Sequence, residues 1–458
     1  MGGRILARLV IVSNRVPVPR PRERPQAGGL AVALKEALAK REALWFGWSG
    51  QTGPKTGGEA EIVTVGQTTY ATIDLSAEDY RLYYTGFSNG MLWPLLHYRM
   101  GLAEFRREEW EAYRRVNAAF AESLKPLLRD DDVIWIHDFH HFPLAAVLRA
   151  AGARQRIGFF LHVPFPPLPL FQALPQGNIL LRELASCDLI GTQTPADASN
   201  LRDALRGAGF DVPVQPFPIG IEADEFAREA EKAVRGPEAR RLADSLSGRA
   251  LILGVDRLDY SKGLPQRLRG FAALLRRFPE HRRRVTLLQV APVSRGDVVQ
   301  YRALRRELDE LAGRINGEHG DIDWVPVRWM TRAVPRATLA GFHRIARVGL
   351  VTPMRDGMNL VAKEFVAAQD PTDPGVLVLS CFAGAADELK GAILVNPHDP
   401  DEIAEGLNAA LVMPASERRA RWTGDIAVLR RNSAAAWAEG FLAALAKVGQ
   451  DAVRAGAR

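Results

Sequence analysis

Six places along this 458-residue chain put a polar side chain at or just beyond the end of a short apolar run. Arg15 follows residues 9–13, Asp138 follows 133–137, and His162 ends the run 158–161. In the second half Arg257 follows 251–255 with Lys262 five residues on, Arg295 follows 289–292, and Arg355-Asp356 follows 350–352. Ligands of open α/β sheets bind beyond the carboxyl ends of strands, so strand-like runs ending this way mark candidate sites. Four of the six places are cationic, which suits phosphate, and more than one phosphate. The segment Asp356-Gly357-Met358-Asn359-Leu360-Val361-Ala362-Lys363-Glu364 adds a seventh feature. Gly357 allows a sharp turn, and the helix expected after it would offer an anion its first N–H groups and positive dipole end. Glu364, two turns down, is placed to accept hydrogen bonds from ribose hydroxyls; a capped helix with a solvent-facing Glu is the plain alternative. Gly28-Gly29, ahead of residues 30–41, admit close backbone approach at another helix start, or simply make a tight turn.

The elements that must position these residues are legible as alternation. Apolar or β-branched runs occur at 9–13, 44–48, 61–65, 133–137, 157–163 and 189–192. They recur at 251–255, 285–290, 324–327, 348–352, 376–380 and 393–395. Between them lie helix-period patterns such as Leu30-Leu34-Leu38 and Leu304-Leu308-Leu311. Continuously apolar strands imply sheets covered on both faces, hence doubly wound α/β units. The turn-rich Pro216-Phe217-Pro218-Ile219-Gly220 and the charged, strand-poor stretch 224–249 divide the chain. Two Rossmann-like domains facing each other across a cleft are expected, over 1–222 and 223–434. A C-terminal helix over 435–458, with Trp437, Phe441, Leu445 and Val448 on one face, joins the first.

Composition narrows the function. The chain carries 60 basic and 53 acidic residues, a net charge of +7, yet only nine of the basic residues are lysine. That skew points to an Arg-rich background, and no basic run exceeds Arg282-Arg283-Arg284, so a nucleic-acid partner is not expected. Two cysteines far apart, Cys187 and Cys381, fit neither a disulfide framework nor a zinc site and suggest a reducing cytoplasm. No apolar stretch is long enough for a membrane span, and Arg8 interrupts any signal-like run. There is no G-x-G-x-x-G after a strand and no Walker sequence. His137, Asp138, His140 and His141 resemble a metal cluster, but strand alternation sends His137 and Asp138 to opposite faces. Asp321-Ile322-Asp323-Trp324-Val325 mimics a phosphatase signature but precedes its strand.

The blocks themselves are familiar. Leu9-Val10-Ile11-Val12-Ser13-Asn14-Arg15 with Ala27-Gly28-Gly29-Leu30 resembles the opening of the trehalose-6-phosphate synthases, glycosyltransferase family 20. So do Leu44-Trp45-Phe46-Gly47-Trp48-Ser49-Gly50, Phe87-Ser88-Asn89-Gly90-Met91-Leu92-Trp93-Pro94, Trp135-Ile136-His137-Asp138-Phe139-His140 and Phe159-Phe160-Leu161-His162-Val163-Pro164. In the second half Asp256-Arg257-Leu258-Asp259-Tyr260-Ser261-Lys262-Gly263, Ala291-Pro292-Val293-Ser294-Arg295-Gly296-Asp297 and the 355–364 block are similar to the same family. The blocks span residues 9 to about 397 in family order. Asp256, where bacterial relatives often carry Glu, and the Pro/Arg-rich loop 16–26 depart from the pattern.

The resemblance implies an α/β protein of the GT-B fold, with an acceptor domain followed by a donor domain. It implies transfer of glucose from a nucleotide sugar to glucose 6-phosphate, giving α,α-trehalose 6-phosphate with retention and with no metal or other cofactor. Residues matching Arg15, Tyr84, Trp93, Asp138 and Arg295 hold the acceptor. Those matching Gly29, His162, Arg257, Lys262, Asp356, Gly357, Met358, Asn359, Leu360, Val361 and Glu364 hold the donor. Asp138, His162, Arg257, Lys262 and Asp356 are the expected catalytic set. UDP-glucose is the first expectation for the donor, with ADP- and GDP-glucose left open, as is a homo-oligomer. A separate phosphatase would consume the product. The rivals are a glucosylglycerol-phosphate synthase or related enzyme, and a non-catalytic sugar-phosphate-binding regulator; intact Arg257, Lys262 and Asp356 speak against the regulator.

Overall fold

Runs such as Leu9–Val12 and Leu251–Val255 have no polar face to offer water, so each must be covered on both sides. In the computed structural model, which describes residues 7–19, 34, 41–293 and 299–456, both become central strands of parallel sheets. The chain divides into two compact units, residues 1–219 with 434–458, and residues 220–433. The stretch 224–249 folds as two helices, Ala223–Ala233 and Pro237–Leu246, within the second unit.

The first unit holds β1 (Leu9–Arg15), β2 (Ala43–Gly53), β3 (Glu61–Val65), β4 (Thr68–Ser76), β5 (Val133–His137), β6 (Arg156–Phe160), β7 (Leu189–Thr192) and β8 (Val214–Pro216). They form one sheet in the order β3-β4-β2-β1-β5-β6-β7-β8, parallel throughout except for the antiparallel pair β3/β4. Register pins the centre: Val10 lies opposite Leu44 on one side and Ile134 on the other, and Val10 and Ile134 are fully buried.

The second unit holds β9 (Ala250–Val255), β10 (Val285–Val290), β11 (Val327–Met330), β12 (Val348–Val351), β13 (Val376–Ser380) and β14 (Ile393–Val395), all parallel, ordered β11-β10-β9-β12-β13-β14. Each unit is a doubly wound, Rossmann-like sheet. In each the strand order reverses once, between β1 and β5 in the first and between β9 and β12 in the second. Connections leaving adjacent strands toward opposite faces open a crevice at such a reversal.

Three expectations shift. Residues 324–327 are not a strand: Asp321 and Trp324 close a short turn, and β11 starts only at Val327, after Pro326. The strand read at 157–163 ends at Phe160, so His162 stands in the loop beyond it. β4 and β8 were not anticipated. The helix proposed over 30–41 and part of the loop 16–26 lie outside the described residues, although Leu34 is described and fully buried. Among the described residues, no helix is long and apolar enough to cross a membrane.

The last helix, Ala434–Gly456, covers the first unit's sheet. Phe441 stacks on Trp135 (ring centroids 4.7 Å apart, planes 10° from parallel), and Trp437 lies 4.9 Å from the same indole. This approach needs bare backbone beneath it. A methyl on Gly158 would come within 2.7 Å of Phe441, and one on Gly191 within 2.6 Å of Phe160 and 2.9 Å of Phe441. Gly158→Ala should therefore lower unfolding free energy by about 1–3 kcal/mol through overpacking. In a Phe441→Ala background, where the ring is gone, the same change should cost clearly less. Urea unfolding of the four proteins measures the coupling, and strict additivity would refute the packing account.

Candidate functional site

In the first unit the polar residues gather at the β1/β5 reversal. β1 ends in Ser13-Asn14-Arg15, and each backbone step is pinned. Trp45 Nε1 donates to Ser13 Oγ (2.8 Å), Ser13 Oγ to the Arg15 carbonyl (3.1 Å), and Tyr83 Oη to Asn14 Oδ1 (2.8 Å). The exposed Arg15 guanidinium lies over the Trp48 ring, 6.0 Å from its centroid. Gly50, at φ 89°, leaves the room: a Cβ there would sit 2.5 Å from Arg15 Nε. Trp48 also faces Tyr80 and Tyr84 at 5.4 and 6.0 Å, and Tyr84 stacks on Tyr80 and on His140. Tyr84 lies in a wide-turned helix, Tyr80–Leu92, whose i→i+5 bonding spaces residues 80 and 84 by roughly one turn. Trp93, just past it, is nearly buried against His97 and Phe139.

Asp138 follows β5 at φ 77° and ψ 166°, a region that residues other than glycine enter at a cost of about 1–3 kcal/mol. Its N–H donates to the Phe160 carbonyl (2.8 Å), its own carbonyl accepts from His141 N–H (3.1 Å), and its Oδ1 accepts from the His162 N–H (3.3 Å). The strained backbone thus aims the carboxylate at the loop after β6. The His162 ring is held between His137 Nδ1 (3.0 Å from Nε2) and Gln193 Nε2 (3.3 Å from Nδ1). Burial lowers the basicity of His162 to about 3, so it is neutral at physiological pH. The buried His141 is likewise held down to about 3 by desolvation. Among the described residues no group of three His, Cys, Asp or Glu side chains is placed to hold a metal ion.

In the second unit the site stands at the β9/β12 reversal. β9 ends at Val255; Asp256 is buried beneath the loop and Arg257 is exposed. Burial pushes the Asp256 carboxyl up, opposed by the Arg267 guanidinium 2.7 Å away. Arg267 is itself fully buried and binds Gln289 Oε1 (2.9 Å), Thr352 Oγ1 (3.1 Å) and the Lys262 carbonyl (3.4 Å). Lys262 closes a short turn, Tyr260–Lys262, capped by the Asp259 carboxylate. Its Nζ lies 2.5 Å from Asp356 Oδ2, which also accepts from Asn359 Nδ2 (3.0 Å).

The helix expected from Gly357 opens later, at Leu360–Ala368, and the left-handed residue that turns the chain into it is Asn359, at φ 84°. The side chain of Asn359 caps Ala362 N–H (3.1 Å), so this residue both starts the helix and braces Asp356. Leu360 and Val361 supply the first turn, where N–H groups have no intrahelical acceptor. Gly357 and Met358 are buried, and the Met358 carbonyl accepts from Ala385 N–H (2.8 Å). Glu364 is not simply solvent-facing: Arg336 Nε donates to its Oε1 at 3.1 Å. Desolvation raises the Glu364 carboxyl, and Arg336 counters that shift. Arg336 also lies 3.7 Å from Glu229 and 4.7 Å above the Phe226 ring centroid.

The structure thus joins Arg15 to Tyr84 through Trp48, Asp138 to His162, and Lys262 to Asp356 and Asn359. Gly29 and Arg295 lie outside the described residues. Gln193, Arg267, Arg336, Trp48 and Tyr80 were not singled out from sequence as site residues. Gln193 had a usable signal, since it directly follows an apolar strand; a charge-weighted reading passes over it.

Comparison with known proteins completes the description. The sequence model of Glycosyltransferase family 20 matches residues 7–447. A trehalose-6-phosphate synthase of Sinorhizobium fredii is 47% identical over 457 residues, covering 95% of this chain and 98% of the relative. Among solved structures, a UDP-forming α,α-trehalose-phosphate synthase of Burkholderia vietnamiensis superposes with a TM-score of 0.94 at 44% identity, over 97% of this chain and 98% of that one. Another from Burkholderia xenovorans, in complex with glucose-6-phosphate, gives 0.91 at 44% identity, over 96% and 99%. With two doubly wound sheets of the GT-B kind and a family match spanning nearly every described residue, the chain belongs to glycosyltransferase family 20.

Proposed function

We propose that this chain transfers glucose from UDP-glucose to glucose 6-phosphate, retaining the donor's anomeric configuration and forming α,α-trehalose 6-phosphate and UDP. The observation that carries this reading is that both polar clusters stand at strand-order reversals, one in each sheet. The two structural neighbours described above are named UDP-forming, and one binds glucose-6-phosphate.

In this reading the first unit is the acceptor domain, using Arg15, Tyr84, Trp93 and Asp138; the family resemblance adds Arg295 to the acceptor residues. The second is the donor domain, using Arg257, Lys262, the turn from Asp356 to Val361, and Glu364; the family resemblance adds Gly29 and His162 to the donor residues. The acceptor phosphate carries nearly two charges, and the donor diphosphate about two more. As the glycosidic bond breaks, negative charge grows on the leaving diphosphate. A cation already in place stabilises that growth without reorganising. Asp356 supplies the placement: its carboxylate holds the Lys262 ammonium at the carboxyl edge of the sheet. Arg257 and the helix start at Leu360 add to the same end, and no metal enters the proposed reaction. No carboxylate is assigned as a covalent nucleophile; the departing phosphate oxygen accepts the acceptor hydroxyl's proton on the same face, while Asp138 orients the acceptor. A reducing, cytoplasmic setting fits two free cysteines, one of them buried. A separate phosphatase would act on the product.

Purified protein incubated with glucose 6-phosphate and each of UDP-, ADP- and GDP-glucose should release nucleoside diphosphate, fastest from the UDP sugar. No release with any donor would overturn the reading. Lys262→Gln should lower kcat by about a hundredfold, with little change in the KM for glucose 6-phosphate; an unchanged kcat refutes its leaving-group role. Asp138→Asn should also depress kcat. Asp138→Gly should be equally inactive yet at least as stable as the parent in thermal unfolding, because glycine relieves the backbone strain. A Glu364→Gln variant should raise the KM for UDP-glucose and leave that for glucose 6-phosphate alone.

A further inference from the structure

β5, β6 and β7 are adjacent and parallel, and their carboxyl ends carry Asp138, His162 and Gln193 in a row. The Gln193 amide is oriented by its partners. Ile219 N–H donates to Oε1 at 3.0 Å, so the oxygen is at that end and the NH2 group faces His162 Nδ1. An amide NH2 only donates, which makes Nδ1 the bare nitrogen. The His162 proton then resides on Nε2, pointing at His137 Nδ1 at 3.0 Å. His137 accepts it and carries its own proton on Nε2. That nitrogen is buried with no hydrogen-bond partner among the described residues, in a ring that packs against Trp135 and Trp437. A second proton on His162 would set N–H against N–H at Gln193, and desolvation opposes it independently. The whole relay starts from the backbone of Ile219, the last residue of the first unit before the chain enters the second.

We infer that Gln193 is a positioning residue that fixes His162 as a neutral imidazole protonated on Nε2, so that His162 serves the reaction as a fixed dipole and not as a proton carrier. The tautomer follows from the hydrogen bonds alone; that His162 adjoins the reacting sugars rests on the proposed function. With Nε2 donating to His137 and Nδ1 accepting from Gln193, neither ring nitrogen is left to take up a proton, and proton transfer during glycosyl transfer is left to the substrates' own oxygens.

Full-length protein labelled with 15N-histidine tests this by long-range 1H–15N correlation, with His162→Gln identifying the signal. The expected spectrum has Nε2 protonated and Nδ1 bare throughout about pH 6 to 8, where free histidine titrates. Gln193→Glu offers Nδ1 an acceptor. It should move the proton to Nδ1, raise the basicity of His162, and add an ionisation to the kcat profile near neutrality. Its kcat should fall by about tenfold to a hundredfold, with the KM for glucose 6-phosphate little changed. Gln193→Met, of similar size but without a donor, should lose kcat without gaining that ionisation. A purely structural Gln193 predicts instead that Gln193→Glu keeps the parent's pH profile. Parent His162 protonated on Nδ1, or a Gln193→Glu spectrum identical to the parent's, overturns the inference. So does a tautomer change that leaves kcat untouched. Should Gln193→Glu fail to fold, the parent spectrum decides the tautomer, and a Gln193→Met variant with the parent's His162 spectrum and kcat would overturn the positioning role. Absence of any nucleotide release by the parent would count against the proposed function instead, and the spectrum would still decide the tautomer.

Discussion

A parallel sheet covered by helices has one physical constraint from which the rest of this protein follows: every strand must deliver its chain to the same edge. Among the described residues, fourteen strands in two sheets obey it apart from the β3/β4 hairpin, so polar side chains at strand ends accumulate along one rim of each sheet. Only where successive connections diverge to opposite faces does that rim open. Arg15 and Asp138 flank one such opening, and Lys262 and Asp356 the other. Binding groups are therefore placed by topology first and by local geometry second.

Local geometry is then enforced by buried polar atoms of different kinds in the two units. Beneath the second opening, a single guanidinium with no solvent exposure, Arg267, ties together residues within or just after β9, β10 and β12 through Asp256, Gln289 and Thr352. Burying such a charge is costly unless every donor is engaged, so the arrangement tolerates little displacement of the Lys262 turn. Beneath the first opening the support is neutral: stacked aromatic rings around Tyr84 and a chain of imidazole and amide groups around His162. One rim is braced by charge, the other by tautomers and ring packing.

The alternation of apolar runs and helical patterns was enough to read two doubly wound units, and strand-end polarity was enough to nominate most of the residues now seen at the two openings. What escaped has physical reasons. β4, Thr68–Ser76, mixes threonine and aspartate, and β8 is three residues ending in proline, so neither carries an apolar signature. Trp324–Val327 looked like a strand because its side chains are apolar, but Pro326 cannot donate to a ladder. The helix after Asp356 was assigned to the conformational freedom of Gly357, whereas the turn is made at Asn359, whose side chain can cap the helix it opens. Arg336 and Glu364 meet across 28 positions on different helices, a pairing that no local spacing rule reveals. Gln193 stood at a strand end in plain view, but its role depends on which end of an amide faces which neighbour.

The helix that covers Gly158 and Gly191 has a consequence for how the molecule is made. Those strands are complete at residue 192, but the aromatic side chains that seal them, Trp437 and Phe441, arrive more than 240 residues later, after the entire second unit has been translated. The second unit is continuous in sequence and can fold as it emerges, whereas the first must wait with the β5–β7 part of its sheet unsealed on one side. In the order of biosynthesis, the unit that is begun first is completed last.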